Sequence, residues 1–314
     1  MTSPEIRLHN FKHYVALFQD WSLKTKIRNM NNIGIKMNTI GRIFLFIISY
    51  FIIVGIFQYV GSLIAGVDFT NLEYEETSKQ LLIVGFFDLF GTFLVIWIFM
   101  KFVEKKEFIT LGLQTKNRLN EFNFGIILGL IIMLIGYLLL IYLKEIFFLN
   151  VNFDFKELII SIMLFTIVAI VEETLLRGYV LRNLMSSFNK YTALITSSIL
   201  FSVMHSFNPN VHLFSLFSLF LAGIVLGLSY IHTKNLWFPI AMHLSWNLFQ
   251  TLFGFNVSGK DTYSIIEFNI KEGNLINGGA FGFEGSYLSI IAEVITIIGI
   301  GIYYSRKITN HNTV

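Results

Sequence analysis

The chain has 314 residues, 54% of them hydrophobic and only 14% charged, with a mean hydropathy of +0.66. A soluble domain carries about 25% charge, so the composition excludes an ordinary soluble globule and indicates an integral membrane protein. The absence of cysteine excludes thiol catalysis, disulfides and cysteine metal sites, and a net charge of +3 without a dense basic tract excludes a nucleic-acid partner.

Residues 1–42 form a polar, basic extension. It has no apolar stretch ahead of a small-residue cleavage site, so the first spanning helix is expected to serve as the insertion signal. Phe11, Tyr14, Val15, Phe18 and Trp21 recur at helical spacing, which predicts a short amphipathic helix lying on the inner membrane surface or packed under the bundle. Apolar runs near 43–65, 81–102, 124–143, 157–184, 191–206, 211–231, 237–254 and 286–304 predict about eight spanning helices. They form one membrane domain over 43–304, followed by a short tail, 305–314. Of the 23 lysines and arginines, 17 fall on the side of the termini and 5 on the other, with Arg177 inside a helix. By the positive-inside rule both termini are expected in the cytoplasm. The fold class is therefore an all-α polytopic bundle. Its long outer segment, 255–285, is Gly-rich near its end and is expected to cover an opening.

An ionised side chain at mid-bilayer costs at least about 2.5 kcal/mol on insertion scales, so each one needs a partner or a purpose. In IVAIVEETLLRGYVL (167–181), Glu173 and Arg177 stand four apart with the acid N-terminal, the favoured order for an intrahelical pair. Gly178 lets a neighbouring element approach closely. Glu172 points roughly 100° away and has no partner on its own helix. FSVMH sets Phe201 and His205 one turn apart, and HLSWN does the same for His243 and Asn247. Glu172, His205, His243 and Asn247 are thus expected to be unpaired groups from three helices. His212 and His232 read as interfacial, Trp237 as an interface anchor and Trp246 as a packing residue. Asp88, Glu284 and Glu293 receive no role.

If the four unpaired groups converge, two chemistries fit. Glu172 and His205 would activate a water while His243 and Asn247 bind an oxyanion. Alternatively Glu172, His205 and His243 would form a Glu/His/His zinc set with one open position. No HExxH helix, Gly-x-Ser-Gly loop or aspartate pair supports other hydrolase designs.

Glu-Glu-x-x-x-Arg (172, 173, 177), Phe-x-x-x-His (201, 205) and His-x-x-x-Asn (243, 247), in this order, resemble the CPBP (Abi) family of type II CAAX prenyl proteases and bacteriocin-processing and immunity proteins. The resemblance covers about 155–255, and the later GGAFGFEGS also looks like a segment found after the third motif. It implies an intramembrane endopeptidase acting on a membrane-associated protein or peptide. In that scheme Glu172 and His205 activate water, His243 and Asn247 form the oxyanion site, and Glu173, Arg177 and Phe201 support it. It leaves open whether zinc is required. The Ile-, Asn- and Phe-rich composition suits a bacterial cell membrane. The alternatives are a non-catalytic immunity or partner-binding protein, and a proton relay or transporter, against which stands the lack of repeated halves.

Overall fold

The computed structural model describes residues 38–70 and 76–312. The expected tail helix near 11–21 lies outside them. Eight helices run along the described residues: α1 (Asn38–Ala65), α2 (Ser78–Glu104), α3 (Leu119–Tyr142), α4 (Phe155–Met185), α5 (Lys190–Met204), α6 (Leu213–Thr233), α7 (Trp237–Leu252) and α8 (Tyr287–Asn312). The all-α multi-pass bundle expected from the sequence is thus borne out, with one refinement. Six helices are long and apolar enough to cross a membrane, whereas α5 and α7 are not. At 15 and 16 residues they rise only about 22–24 Å, short of a hydrocarbon core of about 30 Å. His205 caps the end of the first of these helices, and His243 and Asn247 lie within the second.

Local chemistry sets the helix starts. Thr77 and Gln80 close a capping box on α2, Asp154 accepts from the N–H groups of Lys156 and Glu157, and Asn189 caps α5 in the same way. His212 caps α6 by accepting from Ser215 N–H through its ring, so it is a helix-start residue rather than only an interfacial one. Within α4 the backbone widens into a π-helical stretch, Thr174–Leu181, immediately after the two glutamates.

The bundle is apolar outside and partly polar inside. Phe44, Phe51 and Ile56 of α1, Ile127 and Ile135 of α3, and Ile291 and Ile295 of α8 face outward, while Thr92, Ser197, Ser198, Ser215 and Ser218 are buried. α4 occupies the middle, against α2 and α7, and α6 packs on α5 and α8. α3 lies along α7 because Gly125 and Gly129 present no side chain there. A Cβ on Gly125 would fall 2.9 Å from Met242 N, and one on Gly129 would fall 3.0 Å from Trp246 N. Beside the helices, β1 (Ile146–Val151) pairs antiparallel with β2 (Ile266–Ile270), with an irregularity between Phe148 and Asn150. The segment between α7 and α8 folds back on itself through β2 and two short 3-10 turns, and Val257, Ser258 and Glu284 from it line the central cavity.

Candidate active site

The floor of the site is the expected ion pair, with more partners than the spacing alone indicates. Arg177 Nη1 donates to Glu173 Oε1 at 2.9 Å, Nη2 donates to the Gly223 carbonyl at 3.2 Å, and the guanidinium lies 4.6 Å from the centre of the Phe201 ring. Both residues are sealed from solvent. Gly223 makes this possible, since a Cβ there would sit 2.9 Å from Ser198 Cα on α5. A Cβ at Gly178 would lie 3.3 Å from Leu236 Cδ1 and 3.4 Å from Leu111 Cβ, a tight approach.

His243 is not unpaired, contrary to the expectation. Its Nδ1 lies 2.9 Å from Glu173 Oε1. The Glu173 carboxylate therefore fixes the ring as well as balancing Arg177, across 70 residues of chain that no local spacing reveals. His205 closes α5 rather than lying within it, and its Nδ1 lies 2.7 Å from the Phe201 carbonyl. A carbonyl only accepts, so Nδ1 carries the hydrogen and Nε2 is left for the site. Phe201 packs against both rings, with centroids 4.7 Å from His205 and 6.1 Å from His243.

Above this floor sits Glu172. Its Oε2 lies 3.9 Å from Nε2 of His205 and 3.9 Å from Nε2 of His243, and it is buried with no hydrogen-bond partner among the described residues. Asn247, one turn beyond His243, lines the same cavity, which has a volume of about 280 Å³. The four groups expected from three helices thus share one space.

The spacing bears on both chemistries left open by the sequence. The donor set is right in kind for zinc, with both Nδ1 atoms anchored as ligating imidazoles usually are. Two ligands of a tetrahedral zinc at about 2.1 Å stand about 3.4 Å apart, closer than the 3.9 Å observed here. Among the described residues no group of three acids or histidines is placed to hold a metal ion. A water about 2.8 Å from each partner, seen at about a right angle, spans the observed gap.

Several acids without an expected role have identifiable surroundings. Asp88 accepts from Gln58 (3.2 Å) and Thr92 (3.0 Å), and Glu293 is held by Ser218 and Ser289. Glu284 lines the cavity beside the histidines, its Oε2 accepting from Ser258 N–H and Oγ–H at 2.8 Å each. Burial pushes its carboxyl above the ordinary carboxylate range, with the Ser258 hydrogen bonds pulling the other way. The only hint in the sequence was an acid isolated in a glycine-rich stretch.

Residues 154–249 match the model of the family described as type II CAAX prenyl endopeptidase Rce1-like, a protease family. The match runs from the cap of α4 into α7 and takes in all three motifs, which bears out the resemblance read from them. No curated protein and no solved structure matches the chain.

Proposed function

We propose that the protein is an intramembrane endopeptidase that hydrolyses a peptide bond of a membrane-associated protein or peptide at the Glu172 cavity. The observation that carries this reading is the unpartnered Glu172 Oε2, equidistant from two imidazole Nε2 atoms whose other nitrogens are both engaged.

Counting hydrogens assigns the roles. Glu172 and the Nε2 of His205 are acceptors, and a water between them donates one hydrogen to each. His243 carries its positive form when it binds an oxyanion, with Nδ1–H held by Glu173 and Nε2–H turned to the cavity. Asn247 supplies an amide N–H beside it. Glu172 takes a proton from the water as the oxygen attacks the carbonyl carbon, and the carbonyl oxygen gains its negative charge between His243 and Asn247. Collapse breaks the C–N bond, and Glu172 returns the proton to the departing amine. Glu173, Arg177 and Phe201 hold the rings in place. No step needs a metal, and activity is expected to survive exhaustive chelation. Loss on chelation with restoration by zinc would overturn that part.

The charge asymmetry of the loops supports cytoplasmic termini, which puts the segment between α7 and α8 on the outer side. The deciding experiment compares peptides released by membranes carrying the wild type and Glu172→Gln. Release that depends on the protein and stops in Glu172→Gln supports the proposal; undiminished release in the variant sinks it.

A further inference from the structure

Three carboxylates line the cavity: Glu172, Glu284 and Glu293. Arg177 does not offset them there, since it lies beneath the cavity with Glu173, Gly223 and the Phe201 ring as its partners. The lysine among the lining residues is Lys260, which is exposed, and the lining imidazoles of His205 and His243 face Glu172. Glu293 is absorbed by Ser218 and Ser289 on the neighbouring helix faces. Glu284 is different. It is 94% buried, counted from its 6% exposure, and is clamped through Oε2 by Ser258. Its Oε1 has no partner among the described residues. A carboxylate held in one orientation, with one oxygen committed and the other open to a largely apolar cavity, is arranged for a charge-assisted bond to a cation arriving from outside. The placement is also built with care for backbone conformation. Gly278 and Gly282 take positive φ (83° and 96°) on either side of the turn Gly279–Phe281 that precedes Glu284.

We infer that Glu284 is the specificity residue of this site and that it binds the ammonium or guanidinium of a lysine or arginine lying close to the bond that is cut. The inference rests on the peptidase reading and deepens it by naming the substrate class: basic rather than acidic or wholly apolar segments. An acidic substrate side chain would meet the carboxylates of Glu172 and Glu284 instead of a partner, which adds discrimination by repulsion to discrimination by pairing.

The test uses the full-length protein in detergent and a set of N-acetylated peptides in which one position around the scissile bond is lysine or its uncharged isostere norleucine. A norleucine peptide with a free terminal amine tells a basic side chain from an N-terminus. Wild type is expected to favour the best lysine peptide by about tenfold or more in kcat/KM, chiefly through KM. Glu284→Gln, which keeps the shape and can keep both Ser258 hydrogen bonds, should reduce that ratio to near one while leaving the norleucine peptide within about twofold. Equal rates for lysine and norleucine in the wild type, an equal loss for both in Glu284→Gln, or a preference satisfied only by the free terminus would each overturn the inference. If Glu284→Gln does not accumulate in membranes, the wild-type ratio and its fall in Ser258→Ala decide. If no peptide is cut, the peptidase reading is what has failed. Binding of a labelled lysine peptide to wild type and Glu284→Gln then decides this inference separately: Glu284-dependent binding sustains it, and equal binding overturns it.

Discussion

Glu172 and Glu173 are the same residue type, adjacent in sequence and on the same helix, yet one lines the cavity and the other is sealed beneath it in an ion pair. The Glu173 carboxylate is enclosed, its Oε1 shared by Arg177 and His243 and its Oε2 buried without a hydrogen-bond partner among the described residues. Glu172 faces a cavity, and its Oε2 is left without a partner between two imidazoles. The difference teaches how to read charge inside a bundle of this kind. An acid whose partners belong to the protein is part of the scaffold. An acid whose geometry is complete except for one water-sized gap is waiting for something that is not protein.

The sharpest way to break the comparison is to neutralise each acid in turn. Glu172→Gln should lower kcat by about 10²–10⁴-fold, the range for removing a general base, with thermal stability in detergent close to wild type. Arg177→Met strikes the floor instead. It leaves Glu173 as a buried charge with one cationic partner removed, and should destabilise the protein by about 3–5 kcal/mol, read as a fall in the unfolding midpoint. A stable, active Arg177→Met would show that the floor is not scaffold. Asn247→Ala sharpens the picture on the oxyanion side: kcat should fall by about 10²–10³-fold with KM little changed, since the lost hydrogen bond forms only as charge develops.

How far the sequence reached depended on the range of the interaction. The helices of the membrane domain, the Glu173–Arg177 pair, the Phe201–His205 contact and the common cavity of His243 and Asn247 follow from 3.6-residue periodicity, and these are present among the described residues. What periodicity misses is contact across the bundle. The Glu173–His243 bond joins positions 70 apart, so His243 read as free when it was held. Asp88 read as unpartnered because Gln58 approaches from α1. The fifth and seventh runs, 191–206 and 237–254, are already short in the sequence, and α5 and α7 end two residues inside them. Glu284 was invisible in a functional sense, since a lone acid between glycines has no period at all, and only the fold of its segment brings it to the histidines.

Glu284 also offers the smallest and most discriminating effect. Its carboxyl is raised by burial, against Ser258 and the neighbouring His205 and His243, which lower it. A raised folded-state value means that the contribution to stability is fully present below the unfolded carboxyl's value and is lost as pH rises through the folded one. Ionised Glu284 is therefore a burden on the fold at neutral pH. Glu284→Gln should unfold at a temperature equal to or above wild type on the alkaline side, and the gap should close as pH falls and the wild-type carboxyl takes up its proton. Over the same interval the wild-type preference for a lysine peptide over norleucine should decline, because the oxygen that pairs with the cation is losing its charge. The groups around Glu284 bound this expectation. The neighbouring His205 and His243 and the Ser258 hydrogen bonds draw the loss of preference to lower pH, and burial pushes it higher. A Glu284→Gln protein that is less stable than wild type at every pH would reduce Glu284 to a clasp for Ser258. It would then stand with Glu173 among the acids that hold the structure together, leaving Glu172 as the one open acid of the site.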